Sequence, residues 1–447
     1  MEAMTFQPGA YHQFRYDGWS IDAPAGVVTA TYSLVGADVI SFQERIELPG
    51  PIADSEAADP LVKLLALAAG LSYYKTAAPD TVAVPVGLTP AEHGFLTHLI
   101  GRGLGEFAYR NQLPGALTPR IEADRLEPRP VGRLLDPAAA PLVAVGGGKD
   151  SVVTIETLKA AGLNPTLYSV NRYPAIERCV ALAGQPYVVA ARHLDPRLFE
   201  LNRAGAYNGH VPVTAVTSLV GLLTGLTLAT GPLVMSNEAS ANAGNLVWDG
   251  RDINHQWSKS LEFENLLRQT LAESYDPPAP YFSLLRPLTE LEIAHRFTTW
   301  PAYFPAFTSC NRTFALDQAR RATHWCCDCP KCLFVFLILA AWLDPATMIA
   351  IFGQNLLDGP HETALAEILG FSGHKPFDCV GDEAEARTAL RLIAARPQWR
   401  DAHLVRRLAP GLARYDDRPA PPDDRLTANL PPVYRAALVD GPGGRSD

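Results

Sequence analysis

Residues 142 to 158 read LVAVGGGKDSVVTIETL, an apolar run, three glycines, then Lys149, Asp150 and Ser151 opening an amphipathic pattern. A Walker A loop aligned on Gly148 and Lys149 needs Gly at Val143 and Ser or Thr at Asp150, and fails at both. A dinucleotide fingerprint aligned on Gly146 and Gly148 needs a third small residue at Ser151 and an acidic residue about 20 positions on, where Asn171 and Arg172 stand. What remains is a strand, a glycine turn and a helix whose first turn carries Asp150 and Ser151. The N–H groups and dipole of such a helix favour an anion. The pattern predicts a nucleotide-phosphate loop of a further class; a tight turn capped by Asp150 or Ser151 is the plain alternative.

A second cluster is made of thiols. Cys326, Cys329 and Cys332 form C-x2-C-x2-C, with Cys310 upstream and Cys327 beside them. Four thiolates at this spacing suit a tetrahedral, structural Zn2+ site. Iron–sulfur ligation uses the same ligands, and unliganded core cysteines are the remaining reading. Of the seven cysteines, four fall between Cys326 and Cys332, a grouping that favours reduced thiols or metal over disulfides.

Three polar segments add acid and base chemistry. YNGHVPVTAV carries His210, VMSNEASANAGN carries Glu238 directly after an apolar strand pattern, and NHQWSKSLEFEN carries His255, Lys259 and Glu262. Ligands of open α/β sheets sit beyond the carboxyl ends of strands. A substrate pocket containing His210, Glu238, His255 and Lys259 is therefore expected. Locally satisfied histidines, a capping Glu238 and a solvated Lys259–Glu262 pair are the structural alternatives.

The elements that must position these residues follow from punctuation. Three β-type runs between Phe14 and Leu48, separated by Pro and Gly, predict a small antiparallel sheet. Helical patterns follow at 59–75 and 89–109, and Arg/Pro-rich text from Pro119 to Pro137 reads as a linker. From Pro141 to about Leu291, strand and helix patterns alternate, which predicts a parallel sheet flanked by helices. The run from Val213 to Met235 is long enough to span a membrane, but its Ser, Thr and Gly interruptions and Gly231-Pro232 predict a buried helix followed by a strand at 232–236. The run beginning at Leu333 is too short to span and reads as a core helix. The expected organisation is an N-terminal α+β domain over 1–137, a nucleotide-binding catalytic domain over 138–344, a helical region over 345–409, and a poorly ordered Pro/Asp-rich tail over 410–447.

Composition sets outer bounds. At 447 residues the chain has room for about three domains. Its net charge of −9 and lack of a basic stripe argue against nucleic-acid partners. The N-terminus has no charged-then-apolar leader pattern, so a cytoplasmic location without membrane insertion is expected.

Gly147-Gly148-Lys149-Asp150-Ser151 resembles the S-G-G-x-D-S loop of the PP-loop ATP pyrophosphatases, with Gly146 standing where that family has serine. The resemblance implies ATP and Mg2+ at Gly146, Gly147, Gly148, Lys149, Asp150 and Ser151, cleavage to AMP and pyrophosphate, and adenine read by the strand in PTLYSVN. SLLRPLTELEIA resembles a later segment of several such enzymes and implies that Arg286 approaches the ATP phosphates. Some PP-loop enzymes also carry a zinc knot near the site.

The set VGGGKDS, NGHVPVTA, SNEASANAGN, NHQWSKSLEFE and CDCPKCLF resembles the ATP-dependent UDP-N-acetylmuramoyl-L-alanyl-L-glutamate epimerases over most of residues 10 to 400. This implies a nucleotide-sugar peptide substrate whose terminal L-Glu is inverted through an acyl-adenylate. His210, Glu238, His255 and Lys259 are the acid/base candidates, and a Cys310/Cys327 thiol pair is the rival set. The competing functions are an adenylating ligase, an RNA thiolase or base-modifying enzyme, and a non-catalytic ATP sensor. Residue 2 is Glu and the first cysteine is Cys179, so no glutaminase domain is expected to deliver ammonia.

Overall fold

The computed structural model describes residues 6–278, 280–315, 321–373, 375–417 and 423–442. Twelve strands are present among them: β1 Tyr11–Asp22, β2 Val27–Gly36, β3 Val39–Glu47, β4 Thr81–Ala83, β5 Arg120–Glu122, β6 Leu142–Ala144, β7 Thr166–Val170, β8 Tyr187–His193, β9 Leu233–Met235, β10 Leu246–Trp248, β11 Arg251–Ile253 and β12 Tyr281–Ser283. Ten of them build one mixed sheet in the order β12-β9-β6-β7-β8-β3-β2-β1-β4-β5, and β10 and β11 form a separate hairpin.

The N-terminal strands alternate as the sequence predicts. In β3 every second residue from Phe42 to Ile46 turns inward, and β2 pairs with both β1 and β3 in antiparallel register. This sheet does not close on itself. β3 pairs antiparallel with β8, Arg45 opposite His193 and Glu47 opposite Ala191, so the expected small sheet and the expected parallel sheet are one continuous surface. The seam is locked by the Arg192–Glu44 ion pair at 2.7 Å, both side chains largely buried. Within the stretch expected to be a linker, Arg120–Glu122 adds β5 to the far edge by pairing with β4.

β12, β9, β6, β7 and β8 run parallel to one another. Their crossovers are helices, as parallel pairing requires: Lys149–Ala160 between β6 and β7, Pro174–Ala183 between β7 and β8, and Val213–Leu228 before β9. The Val213–Leu228 helix ends at Ala229 in the left-handed conformation, just before Gly231-Pro232. It packs in the core with the helix Ser55–Tyr74, whose first turn is capped by Asp54 accepting from the Ala57 N–H at 2.9 Å. No helix among the described residues is long and apolar enough to cross a membrane.

Beyond Asp344 the chain is helical, including Pro345–Phe352, Glu362–Ile368 and Glu383–Ala395. The end differs from the expected poorly ordered tail. Pro432–Asp440 is a helix that buries Tyr434 and Leu438, stacks Tyr434 edge-on against Phe282 at 4.8 Å and accepts from Arg296 at the Leu438 carbonyl. Its apolar spacing offsets the polar composition that surrounds it. Part of the predicted tail, 418–422 and 443–447, lies outside the described residues.

Candidate active site

The parallel strands reverse order around β6, whose neighbours β7 and β9 lead away in opposite directions. Such a switch point leaves a crevice at the carboxyl ends of the strands. The glycine loop follows β6, SNE follows β9 and the LLRP turn follows β12, so three of the predicted segments meet at this edge.

Gly147 has φ +74°, and a Cβ there would lie 3.0 Å from the Ala175 carbonyl and the Ile176 nitrogen. Gly148 caps the helix Lys149–Ala160 without a side-chain bond, and a Cβ on it would meet the Ser309 hydroxyl at 2.5 Å. Gly146 faces open space. Gly147 is thus required by its conformation and by neighbouring backbone, Gly148 sits tight against a side-chain hydroxyl, and the opening N–H groups of the helix have no intrahelical partner. Ser151 turns its hydroxyl back to the Gly148 carbonyl at 3.0 Å.

Lys149 points inward. Its ammonium is 1% exposed and bonds Asp150 and Glu290. Burial would lower its pKa, but the two carboxylates raise it overall. A capping box between Thr289 and Glu292 starts the helix Glu290–Phe297 and puts Glu290 at its first position. Glu290 also meets Lys331 at 3.6 Å. Burial pushes the Glu290 carboxyl up, yet the two lysines hold it down at about 2.

Glu238 is 4% exposed, and no described residue hydrogen-bonds its carboxylate. Burial and then the nearby Glu290 raise its pKa, opposed by Lys259. It makes no side-chain cap to the turn that follows it. Arg286, expected near phosphates, is instead spent on protein groups. It donates to the carbonyls of Glu238 at 3.0 Å and Lys259 at 2.6 Å, to Glu264 Oε2 at 3.1 Å and to Ser283 Oγ at 3.2 Å. A fully buried guanidinium satisfies its donors locally where it can; the two terminal nitrogens of Arg286 find these partners, including two backbone carbonyls of the site loops, while no described residue meets its Nε.

Lys259, directly before the helix Leu261–Leu271 capped by Ser260, reaches Cys379 Sγ at 3.4 Å. Its expected companion Glu262 turns away to Arg102 at 3.6 Å. The Lys259 ammonium feels Cys379, Glu238 and Asp150, which raise its pKa against the effect of burial. His255 Nδ1 meets Glu106 Oε2 at 2.5 Å, its side chain feels the Cys379 thiolate, and its ring lies 4.2 Å from that of His210. Burial opposes protonation of both rings. Cys379 and Glu106 overcome it at His255, pushed up to about 9, while His210, beside the cationic His255, falls to about 3. Cys379, despite burial, is drawn down to about 5 by Lys259 and His255. Glu106, His210 and His255 offer ligand atoms within 4.8 Å of one another. The direct Nδ1–Oε2 bond, with Lys75 and Arg110 alongside, makes them a proton-sharing group rather than a cation site.

The structure therefore joins His210, Glu238, His255 and Lys259 near the glycine loop, and adds Glu106, Glu290, Lys331 and Cys379, which sequence reasoning missed. Glu290 follows the LLRP turn, and its only signal in the sequence is an acidic residue at the start of a helix pattern. Cys379 stands alone in KPFDCVGDE and offers no local signal.

Cys310, Cys326, Cys329 and Cys332 bring their sulfurs within 4.8 Å of one another, at the start of the buried helix Pro330–Ala340. Cys327 is excluded: its φ is +59°, its thiol donates to the Phe352 carbonyl at 3.1 Å, and burial raises its pKa. The Cys310/Cys327 pair thus does not form, because the turn sends the two side chains to different neighbours. The cluster is tied to the glycine loop through the Thr308 N–H, which donates to the Gly147 carbonyl at 3.0 Å.

A switch-point crevice with a glycine loop on one side and a buried acid/base cluster on the other is the layout of an α/β enzyme. Family models for the MurL N-terminal domain and the MurL C-terminal domain match residues 5–284 and 306–420. The chain belongs to the MurL family. It is 44% identical over 440 residues to the UDP-N-acetyl-alpha-D-muramoyl-L-alanyl-L-glutamate epimerase of Micromonospora sp., covering 95% of this chain and 97% of that protein. Proteins of the same name from Salinispora tropica and Xanthomonas oryzae pv. oryzae are 45% and 39% identical, each over 88% of this chain and 87% and 88% of their own lengths. The chain is accordingly an enzyme of the isomerase class, an epimerase. No solved structure matches it significantly.

Proposed function

We propose that this epimerase inverts the terminal L-Glu of UDP-MurNAc-L-Ala-L-Glu to D-Glu in the synthesis of peptidoglycan precursors, with ATP cleaved to AMP and pyrophosphate. The observation that carries the reading is the junction of two unlike halves: Lys259 feels Asp150 of the glycine loop on one side and contacts Cys379 on the other. Relatives bearing the epimerase name supply the substrate class.

Activation and inversion depend on each other chemically. Removing the α-proton beside a free carboxylate would create a dianionic enolate. Masking that carboxylate as an acyl-adenylate removes one charge and makes the carbonyl electron-withdrawing, so a side-chain base of ordinary strength suffices. Hydrolysis then releases product and AMP.

The PP-loop reading is supported by the parallel order β12-β9-β6-β7-β8, by the loop at the end of β6 and by the close approaches at Gly147 and Gly148. The loop N–H groups and helix dipole suit the departing pyrophosphate. Asp150, half-buried with Oδ1 on Lys149, has Oδ2 left to hold Mg2+, which would neutralise phosphate charge. Arg286 acts by holding the Glu238 and Lys259 backbones in place. Lys259, His255 and Glu238 are the acid/base groups, Lys259 and Glu238 both within the influence of the Asp150 charge; His210, kept neutral, shapes the approach to His255. The four cysteines fit structural Zn2+: ligands 2.3 Å from a tetrahedral ion lie about 3.8 Å apart, and Cys326 and Cys332 are separated by 3.7 Å, Cys329 and Cys332 by 3.4 Å.

Incubation with the L-Glu substrate, ATP and Mg2+ should yield AMP and D-Glu in the released product. ADP as the main nucleotide product, or AMP with retained L-Glu, would overturn the reading, the latter in favour of a ligase.

A further inference from the structure

Resting on that reading, we infer that Cys379 is a catalytic residue of the inversion, the thiolate that takes the α-proton of the activated glutamate. Cys379 is the one thiol beside Lys259 and His255; Cys310, Cys326, Cys329 and Cys332 are gathered in their own cluster, Cys179 is buried under the glycine loop with its thiol on the Gly147 carbonyl at 3.4 Å, and Cys327 is buried against the Phe352 carbonyl.

The arrangement around it is that of an activated thiol. Glu106 Oε2 holds His255 Nδ1, Lys259 Nζ lies 3.4 Å from the Cys379 sulfur, and the charges of His255 and Cys379 act on each other. A carboxylate orienting an imidazole that faces a thiol is the general triad logic of activated nucleophiles and bases. The ammonium adds a second cation to keep the sulfur ionised, in agreement with the lowered Cys379 and raised His255 pKa values. The thiol is half-buried rather than sealed in the core. Beside Lys259 lies the buried Glu238 carboxyl, to which no described residue offers a hydrogen bond.

The segment carrying the thiol is held over the crevice by several anchors. Asn245 donates to the Pro376 carbonyl at 2.8 Å, Gln256 to the Val380 carbonyl at 3.2 Å, and Asn311 bonds Asp378. Phe377 packs against Tyr109 and lies under the Arg110 guanidinium. The loops that supply His255 and Lys259 thus also fix the backbone on both sides of the sulfur. The thiol belongs to the C-terminal family domain and its imidazole and ammonium to the N-terminal one. Neither domain holds the group alone.

The step balances without an added reagent. The Cα–H bond breaks, its proton passes to sulfur, and the electron pair stays on carbon as the enolate of the activated carboxyl. A solvent-derived proton enters at the opposite face, and the thiol gives its proton up to solvent, which restores the thiolate between the His255 imidazolium and the Lys259 ammonium.

The test uses the full-length enzyme in heavy water and reads two half-reactions separately. Cys379→Ser should keep substrate-dependent ATP–pyrophosphate exchange within a few-fold of wild type, and lose deuterium entry at the glutamate Cα by about 100-fold or more. Wild-type deuterium entry in Cys379→Ser would overturn the inference. Absence of pyrophosphate exchange in the wild type would overturn the function proposed above and not this assignment. Should the variant fold poorly, the wild type decides by alkylation: iodoacetamide should modify Cys379 faster than it modifies glutathione at pH 7, slowed by substrate and by His255→Gln. A rate no greater than that of glutathione would contradict the assignment.

Discussion

Arg286 separates two accounts of the site. If it approached the ATP phosphates, removing it would raise the KM for ATP and leave folding intact. In the structure it is 1% exposed and donates to Glu264, itself 1% exposed, to Ser283 and to two backbone carbonyls. Arg286→Ala would take the ion-pair partner from the buried Glu264 carboxylate, leaving it only the Asn429 amide and the Ser283 N–H, a loss of up to about 3–5 kcal/mol for a broken buried pair, and would orphan the carbonyls of Glu238 and Lys259. That is a large share of the stability of an ordinary domain. Arg286→Lys should recover little, since an ammonium cannot present the same planar fork. Adding Glu264→Gln to Arg286→Ala should restore part of the loss, because the stranded charge is then removed. The assay is thermal and urea unfolding followed by circular dichroism, with pyrophosphate exchange measured on the folded fraction. A wild-type unfolding midpoint for Arg286→Ala, together with a raised KM for ATP, would refute the reasoning and restore the phosphate role.

Gly147→Ala, strained at φ +74° and crowded by backbone at 3.0 Å, should lower the melting temperature and abolish nucleotide turnover, whereas Gly146→Ala, facing open space, should fold normally; equal behaviour of the two would remove the basis for the loop geometry. Purified protein should carry close to one zinc per chain by elemental analysis, and Cys329→Ser should lose it and also weaken nucleotide binding, because Thr308 ties the cluster to Gly147; metal-free protein of full stability would contradict this. The His255 contribution to stability, raised to about 9 from 6.5, is fully present below pH 6.5 and lost by about 9, while that of Cys379, lowered to about 5 from 9, is complete above 9 and lost as pH falls through 5. Between 6.5 and 9 the two slopes cancel, so wild type should show little dependence from this pair, and His255→Gln, which leaves Cys379 beside Lys259, should gain stability as pH rises from 6.5 to 9, by at most about 1.4 kcal/mol per unit. Parallel pH profiles of the two proteins would contradict the pairing.

What the sequence disclosed and what it concealed divide along one physical line. The loop from Val143 to Ser151 was legible because strand, turn and helix are contiguous and Gly147 answers to a local need, a positive φ against neighbouring backbone. The alternation in β2 and β3 and the break at Gly231-Pro232 were legible for the same reason. The pairing of β3 with β8 was not, since an edge strand does not announce its partner. The partner of Lys149 lies 141 residues away at Glu290, and that of Lys259 lies 120 residues away at Cys379. No periodicity connects such positions. Arg286 was misread because a guanidinium suits phosphate and backbone carbonyls equally, and only burial tells which it meets. The helix Pro432–Asp440 was hidden by the Pro and Asp around it, although Tyr434 and Leu438 are spaced to share a face.

The central claim is that activation by ATP and proton removal at Cα occur in one crevice, the first enabling the second. It is tested most directly by turning over UDP-MurNAc-L-Ala-L-Glu in heavy water with and without ATP, hydrolysing the product, separating the glutamate enantiomers and weighing each. The account predicts D-Glu carrying deuterium at Cα when ATP is present and no exchange in its absence. Deuterium entry that proceeds equally without ATP, or AMP release with unlabelled L-Glu alone, would contradict it.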